Sequence, residues 1–149
     1  MPFLRLGYKR IHYTDSKPAD GKGRETLIFM HGLGSSQNYY HGVTQVLVAS
    51  GFRCITFDNT GAGRSPYTFV EQSVESMGDD VIGILDALGV EKAVFVGHSM
   101  GGYVSYRRST YLSGTKEPLR DKTAYTLCVA SWAHTSPLSG ATASSQRSS

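Results

Sequence analysis

The sequence predicts an α/β fold, in which a mostly parallel sheet carries helices on both faces. Three short apolar runs are typical of strands buried on both sides, and they are Thr26–Met30, 54–57 and 93–96. Two segments of helical periodicity separate these runs, and such an alternation implies parallel strands joined by right-handed crossovers. The chain has 149 residues, 40% of them apolar, which is the composition of a single globular domain.

Before the first of these strands, the sequence predicts one early strand and a turn. Residues 6–13 mix apolar and polar side chains as one strand, and residues 15–23 are rich in turn-forming residues. After the first buried strand, Ser35 or Ser36 is expected to cap a helix, and Gly51 to end it in the left-handed conformation. The apolar positions of this helix fall on one face, and they are Tyr39, Val43, Val46 and Leu47.

The second helix has the clearest periodicity in the chain, and Gly89 is expected to end it. Its apolar positions are spaced by three and four residues, and they are Val70, Val74, Met77, Val81, Leu85 and Leu88. Later signals are weaker: residues 103–112 are compatible with a helix and residues 123–130 with a strand. Residues 131–149 are dominated by small polar side chains and predict a disordered tail, so the folded domain is expected to span residues 1–130.

The candidate nucleophile is Ser99, in the turn Gly-His-Ser-Met-Gly-Gly that follows the third buried strand. A nucleophile on a sharp turn from strand to helix has a strained backbone, and the residues two positions away must be very small. Gly97 and Gly101 meet this requirement. Such a turn raises the hydroxyl above the sheet, beside a helix N-terminus whose N–H groups favour a developing oxyanion. The alternative is an incidental serine in a glycine-rich turn.

A second candidate loop, His-Gly-Leu-Gly at residues 31–34, follows the first buried strand. Its glycines allow the backbone to approach a substrate carbonyl. The N–H of Leu33 can then pair with the N–H of Met100 in an oxyanion hole.

A dinucleotide-binding loop is the competing interpretation of the same residues. Gly32 and Gly34 match the first two glycines of that motif, and Asp58 ends the next strand, where a ribose-binding acid would lie. Gln37, however, occupies the position of the third glycine, which the helix needs in order to pack against the strand. We therefore disfavour this interpretation and predict neither a cofactor nor a metal.

Three motifs in this order, HGLGSS, FDNTGAGRS and VGHSMGG, resemble the α/β-hydrolase superfamily, and their spelling is closest to 3-oxoadipate enol-lactonases and related small esterases. The resemblance covers residues 5–105. It implies a hydrolase of small-molecule esters or lactones with Ser99 as nucleophile and an oxyanion hole from Leu33 and Met100. It also implies that Asp58 braces the site in a turn with Gly61, Gly63 and Ser65. The residues expected to shape the site without doing chemistry are His31, Gly32, Gly34, Asp58, Gly97 and Gly101.

The chain departs from this family after the nucleophile. A hydrolase triad runs in the order serine, acid, histidine. After Ser99 the only candidates are Glu117, Asp121 and His134, and their spacing leaves no room for the later strands that carry these groups. The sequence therefore predicts a C-terminally truncated hydrolase without a complete triad. The alternative function is that of an inactive fragment acting at most as a binding protein.

The remaining histidines are not expected to act as the base. His98 precedes the nucleophile and is expected to pack beneath its turn. His12 and His41 belong to the early strand and the first helix, where a solvated or half-buried position is expected for both.

Charge and composition exclude several other partners. The net charge is +3, but the basic excess lies in residues 103–149 without interleaved aromatic residues, so we predict no nucleic-acid binding. No leader or membrane-spanning run is present, and Cys54 and Cys128 lie in apolar stretches as buried thiols, so a cytoplasmic protein without membrane contact is predicted. The strand at residues 123–130 is expected to be an exposed sheet edge, through which the chain can self-associate.

Overall fold

One six-stranded sheet organises the computed structural model, which describes residues 2–21, 23–105 and 124–129. The strands are β1 (Phe3–Leu6), β2 (Lys9–Ser16), β3 (Thr26–Met30), β4 (Arg53–Phe57), β5 (Ala93–His98) and β6 (Ala124–Val129). Their order across the sheet is β1-β2-β4-β3-β5-β6. The last four in this order pair in parallel, whereas β1 and β2 pair antiparallel at one end. The predicted, mostly parallel α/β sheet is confirmed.

Helices lie on both faces of this sheet. Helix α1 (His41–Ala49), which follows a 3-10 turn at Gln37–Tyr40, covers one face, and α2 (Val74–Ala87) covers the other. Helix α3 begins at residue 100 and is described to residue 105. Strand β3 contributes to both cores because its side chains alternate. Leu27 and Phe29 pack on the α1 side with Tyr40 and Cys54, whereas Ile28 and Met30 pack in the cluster that contains α2.

The N-terminal region differs from the prediction of one early strand at residues 6–13. It forms a hairpin, because Gly7 and Tyr8 make a tight turn between β1 and β2 and Leu6 pairs with Lys9. Gly7 has a φ of +60°, which glycine adopts without steric cost. Strand β2 also extends to Ser16, beyond the predicted start of the turn, because it pairs with β4 as far as Cys54.

The predicted apolar stripe of α1 is wrong for three of its four positions. Tyr39, Val43 and Val46 are 58%, 48% and 66% exposed, and the buried positions are Tyr40 and Thr44, with Leu47 and Val48 partly buried. The buried face is thus shifted by one residue, and the polar atoms of the buried pair have hydrogen-bond partners, which makes their burial possible. The Tyr40 hydroxyl donates to Met30 O at 2.8 Å, and the Thr44 hydroxyl donates to His41 O at 3.0 Å. Ser36 precedes the 3-10 turn but makes no capping bond through its side chain.

Helix α2 starts later than its apolar pattern predicts. Ser73 is the N-cap and forms a reciprocal capping box with Ser76, so Val70 lies outside the helix and is 48% exposed. Val81 and Leu85 are buried as predicted. Gly89 follows the end of α2 as predicted and has a φ of +64°; the φ of +93° at Gly51 confirms the left-handed end predicted after α1.

The two last strands refine the prediction. Strand β5 continues through Gly97 to His98, two residues beyond the predicted end, and β6 confirms the strand predicted at 123–130. Strand β6 is the last strand of the sheet among the described residues, and self-association through its edge stays a prediction. The predicted disordered tail 131–149 and the end of the domain at residue 130 lie outside the described residues.

No helix in the described part of the chain has the length and apolar character needed to cross a membrane.

A buried ion pair fixes the start of β2 to α2. Lys9 Nζ lies 2.9 and 2.8 Å from the two carboxylate oxygens of Asp80, and both residues are buried. Gln72 Oε1 accepts a further bond from Lys9 Nζ at 3.3 Å. Burial raises the pKa of Asp80, and the hydrogen bond and charge of Lys9 oppose that rise. The carboxylate is therefore stable in this position only while Lys9 faces it.

Lys9→Met should destabilise the fold strongly, because it keeps the aliphatic stem but leaves Asp80 buried without its counter-charge. Breaking such a pair costs about 3–5 kcal/mol. Urea unfolding at neutral pH measures this loss. The matched control is Lys17→Met: Lys17 is 57% exposed and lies 3.8 Å from Asp15, so its loss should cost less than about 1 kcal/mol. Equal losses in the two variants would contradict the role of the pair.

Candidate active site

Ser99 occupies a sharp turn between β5 and α3. Its φ is +54°, and it is the one non-glycine residue with a positive φ in the ranges 2–21, 23–105 and 124–129. A side chain in this conformation costs about 1–3 kcal/mol and persists where the surroundings enforce it. Ser99 is exposed, and Met100 begins the helix directly after it. The turn therefore presents the hydroxyl at the carboxyl end of a buried strand, beside the N-terminus of a helix.

Close backbone contacts enforce this turn. A Cβ at Gly97 would overlap the carbonyl group of Gly101, and a Cβ at Gly101 would overlap the Met30 carbonyl at the end of β3. Both overlaps involve main-chain atoms, which cannot move aside as a side chain can. The two glycines thus allow β5, the turn and β3 to meet without a side chain between them.

The loop after β3 lies next to this turn. Strands β3 and β5 are parallel neighbours with Met30 opposite Gly97, so both end at the same edge of the sheet. A Cβ built on Gly32 would lie 3.2 Å from Ser99 Cβ and 3.3 Å from His98 Nδ1. The loop itself is a tight turn, in which Ser35 N–H donates to Gly32 O at 3.3 Å and Gly34 has a φ of +71°. The Leu33 side chain is 84% exposed.

His31 holds this loop in place through both nitrogens of its ring. Its side chain is buried, and its Nδ1 lies 2.8 Å from Gly32 O. Its Nε2 accepts a hydrogen bond from Asn59 N–H at 3.1 Å. The ring therefore connects the loop after β3 to the turn after β4.

Asp58, at the end of β4, is the centre of a buried hydrogen-bond network. Its carboxylate accepts bonds from Gln37 N–H at 2.8 Å, Gln37 Nε2 at 3.1 Å, Arg64 N–H at 3.0 Å and His12 Nδ1 at 3.1 Å. Burial alone raises the pKa of Asp58, but these hydrogen bonds outweigh burial and lower it below the ordinary value. A Cβ at Gly63 would overlap the same carboxylate.

This network is incompatible with Asp58 as a ribose-binding acid, since the protein itself occupies the carboxylate. Gln37, in the position of the missing third glycine, is a buried structural residue. Its Oε1 accepts bonds from the hydroxyls of Thr14 and Thr56, each at 2.8 Å. The dinucleotide-binding interpretation therefore has no support from this geometry.

His12 is buried, so the prediction of a solvated or half-buried position is wrong for this residue. It faces Asp58 because β2 pairs with β4, and its own N–H donates to Ser65 Oγ at 2.9 Å. Ser65 Oγ in turn donates to Asp58 O at 2.6 Å. His41 is exposed on α1, as expected. Sequence reasoning missed His12 and Gln37 as braces, although a glutamine in a buried position implies satisfied polar partners.

The structure places His98 against Tyr39. Their rings stack at 4.9 Å with an angle of 26° between the planes, and His98 is half-buried at the end of β5. Tyr39 is a neighbour of the site that the sequence did not indicate.

The remaining candidates do not join this site. Glu117, Asp121 and His134 lie outside the described residues, so the predicted lack of a complete triad stays a prediction. The described ranges contain no group of three or more side chains suited to hold a metal ion. An open pocket of 840 Å³ lies between α1 and the β2–β4 side of the sheet, and Ser99 and the loop after β3 do not line it.

A family model described as the alpha/beta hydrolase fold matches residues 25–107. Among curated relatives, the 2-hydroxy-6-oxononadienedioate/2-hydroxy-6-oxononatrienedioate hydrolase of Paraburkholderia phymatum is 37% identical over 99 residues, which cover 63% of this chain and 33% of that protein. The sn-1-specific diacylglycerol lipase ABHD11 of Danio rerio is 39% identical over 88 residues, which cover 58% of this chain and 27% of the lipase.

The fold is also that of solved hydrolases. The enol-lactonase from Burkholderia xenovorans LB400 superposes with a TM-score of 0.70 at 23% identity, over 75% of this chain and 42% of that one. The chain spans about a third of the length of the curated relatives it matches. The resemblance predicted from the three motifs is confirmed by these matches.

Gly101→Ala should disrupt the turn, because the added methyl group meets the Met30 carbonyl. Overpacking of this kind costs about 1–3 kcal/mol and occasionally more. The matched control is Gly42→Ala in the exposed part of α1, where a Cβ meets nothing within 4 Å. That variant should be more stable than the wild type by about 0.4–1 kcal/mol. Thermal unfolding of both measures the difference, and a Gly101→Ala protein as stable as the wild type would show that the turn tolerates a side chain.

Asp58→Asn should make the free energy of unfolding depend less on pH in the acidic range. The pKa of Asp58 is lowered in the folded protein, so its charge contributes stability above the unfolded pKa of about 4, and that contribution is lost as the pH falls through the folded pKa. The variant should be less stable at neutral pH and lose less on acidification. Urea unfolding between pH 7 and 3 tests this, with exposed Glu71→Gln as the control for losing one negative charge. Parallel profiles for wild type and Asp58→Asn would contradict it.

Proposed function

The chain belongs to the α/β-hydrolase fold family, and from this premise we propose that it hydrolyses carboxylic esters or lactones through an acyl-enzyme on Ser99. The observation that carries the proposal is the left-handed backbone of Ser99 at the junction of β5 and α3. Nucleophile turns of serine hydrolases have this strained geometry. A serine that served only as a turn residue would have no need of it, since glycine adopts the same conformation without strain.

The first chemical step is attack on the substrate carbonyl. The Ser99 Oγ forms a bond to the carbonyl carbon while its proton passes to a base, and the carbonyl π electrons move to the oxygen. The tetrahedral intermediate then collapses, and the alcohol leaves with a proton. Water attacks the resulting ester of Ser99 by the same sequence and releases the acid. Such a nucleophile needs a base, and among the described histidines none is hydrogen-bonded to the Ser99 hydroxyl.

The oxyanion of each intermediate is proposed to accept hydrogen bonds from the N–H groups of Leu33 and Met100. Two observations support these donors. Met100 is in the first turn of α3, where N–H groups have no partner within the helix. The loop that carries Leu33 approaches the Ser99 turn at Gly32. Removal of one donor of this kind reduces the rate by about 10²–10³.

The proposed substrate is a small ester or lactone. The name of the zebrafish relative describes a lipase, which cleaves an ester, and the motif spelling is that of enol-lactonases and small esterases. A serine nucleophile with an oxyanion hole serves both bond types, because a lactone is a cyclic ester and passes through the same intermediate. A protein that binds such molecules without cleaving them is the alternative, and it differs in the reactivity of Ser99.

A fluorophosphonate probe should label Ser99, because this reagent reacts with activated serines and not with ordinary ones. Mass spectrometry of the modified peptide identifies the site, and Ser99→Ala should abolish the label. Ser73→Ala, which removes the serine that caps α2, is the matched control and should leave the labelling at Ser99 intact. Labelling no higher than that of Ser99→Ala would contradict catalysis and favour the binding role.

A further inference from the structure

The orientation of the Leu33 N–H follows from what holds the preceding carbonyl. Gly32 C=O and Leu33 N–H belong to one planar peptide group, and in a trans peptide they point in opposite directions. The carbonyl is held by two groups, His31 Nδ1 at 2.8 Å and Ser35 N–H at 3.3 Å. Because the carbonyl points toward these two groups, the Leu33 N–H points away from them.

The partners of His31 also determine its tautomer. Nδ1 faces a carbonyl oxygen, which can only accept, so Nδ1 carries the proton. Nε2 faces the Asn59 N–H, which can only donate, so Nε2 has a free lone pair. The neutral ring with its proton on Nδ1 satisfies both contacts at once. The other neutral tautomer satisfies neither of them.

The hydrogen bond from Asn59 N–H fixes the His31 ring relative to the turn after β4. Asn59 directly follows Asp58, whose carboxylate is held by bonds from Gln37, Arg64 and His12. His31 is 1% exposed, so water does not compete for either ring nitrogen. The position of the Gly32–Leu33 peptide is therefore coupled to the rigid turn after β4 through one imidazole.

We propose that His31 is a positioning residue for the oxyanion hole, which acts as the Nδ1-protonated neutral tautomer and aims the Leu33 N–H by fixing the Gly32 carbonyl. The inference rests on the proposed function for its catalytic meaning. It goes further in assigning a proton location, a donor orientation and a residue that acts without touching substrate. A purely structural histidine would support folding without changing the direction of the Leu33 N–H.

NMR tests the location of the His31 proton and the orientation of the Leu33 N–H, and it does not depend on enzymatic activity. Two-bond ¹H–¹⁵N correlations of the His31 ring should show the proton on Nδ1. Residual dipolar couplings of the Leu33 N–H should change in His31→Phe, which keeps a planar ring but loses both hydrogen bonds, and remain near the wild-type values in His31→Gln. A glutamine amide has one donor and one acceptor end and can replace both contacts. His41→Phe, the same change at an exposed histidine of α1, should leave the Leu33 coupling unchanged.

Reaction with a fluorophosphonate tests whether His31 affects the reactivity of Ser99. His31→Phe should lower the maximal rate of Ser99 phosphonylation by about 10²-fold, as expected for one lost oxyanion donor, without changing the concentration of half-saturation. His31→Gln should recover most of this rate, and His41→Phe should react as the wild type does. A lowered rate accompanied by equally weakened probe binding would indicate general damage and overturn the proposal.

The two failures are distinguishable. An Nε2-protonated His31, an unchanged Leu33 coupling in His31→Phe, or wild-type reactivity of that variant overturns the positioning role. Should His31→Phe not fold, the wild-type tautomer and the His31→Gln couplings decide the matter. A wild-type protein that does not react at Ser99 overturns the proposed function instead, and the NMR measurements still decide how the Leu33 N–H is positioned.

Discussion

The geometry of the site depends on the charge of one buried carboxylate, Asp58. Four donors from three separate segments converge on it: His12 in β2, Gln37 before α1, and Arg64 in the turn after β4. A buried charge is tolerated only when it is fully hydrogen-bonded, and these donors then become fixed relative to one another. Through Asn59 and His31 the same network reaches the loop beside Ser99. The network of this carboxylate thus reaches the loop that is proposed to donate to the oxyanion, although the carboxylate itself is buried.

The protein buries two carboxylates by different means. Asp80 faces the ammonium of Lys9 on the α2 side of the sheet, and its stability depends on one counter-charge. Asp58 is held by neutral N–H groups and an imidazole, which favour the charged form by hydrogen bonding. The Lys9–Asp80 pair fixes a helix to a strand, and it requires only that these two side chains meet. The Asp58 network organises a turn, because the N–H donors belong to the backbone itself and define its path.

Sequence reasoning succeeded where a single local requirement decides the structure. Residues 27–30 are all apolar and form a strand buried on both faces, and Gly97 and Gly101 flank a serine where no Cβ fits. It failed where polar atoms find partners far along the chain. Gln37 is buried because the hydroxyls of Thr14 in β2 and Thr56 in β4 reach its side chain, and His12 is buried because Asp58 arrives from β4. These pairings depend on strand order, which local patterns do not contain.

The reactivity of the buried Cys54 thiol reports on local opening of the fold. Cys54 lies in β4 beneath α1, and burial raises the pKa of its thiol to about 11. In the closed fold the sulfur is therefore neutral, covered and unreactive toward alkylating reagents. Modification at this position therefore requires a local opening that uncovers the thiol, and its rate measures how often such openings occur. The same shielding also protects the thiol from oxidation during the lifetime of the folded chain.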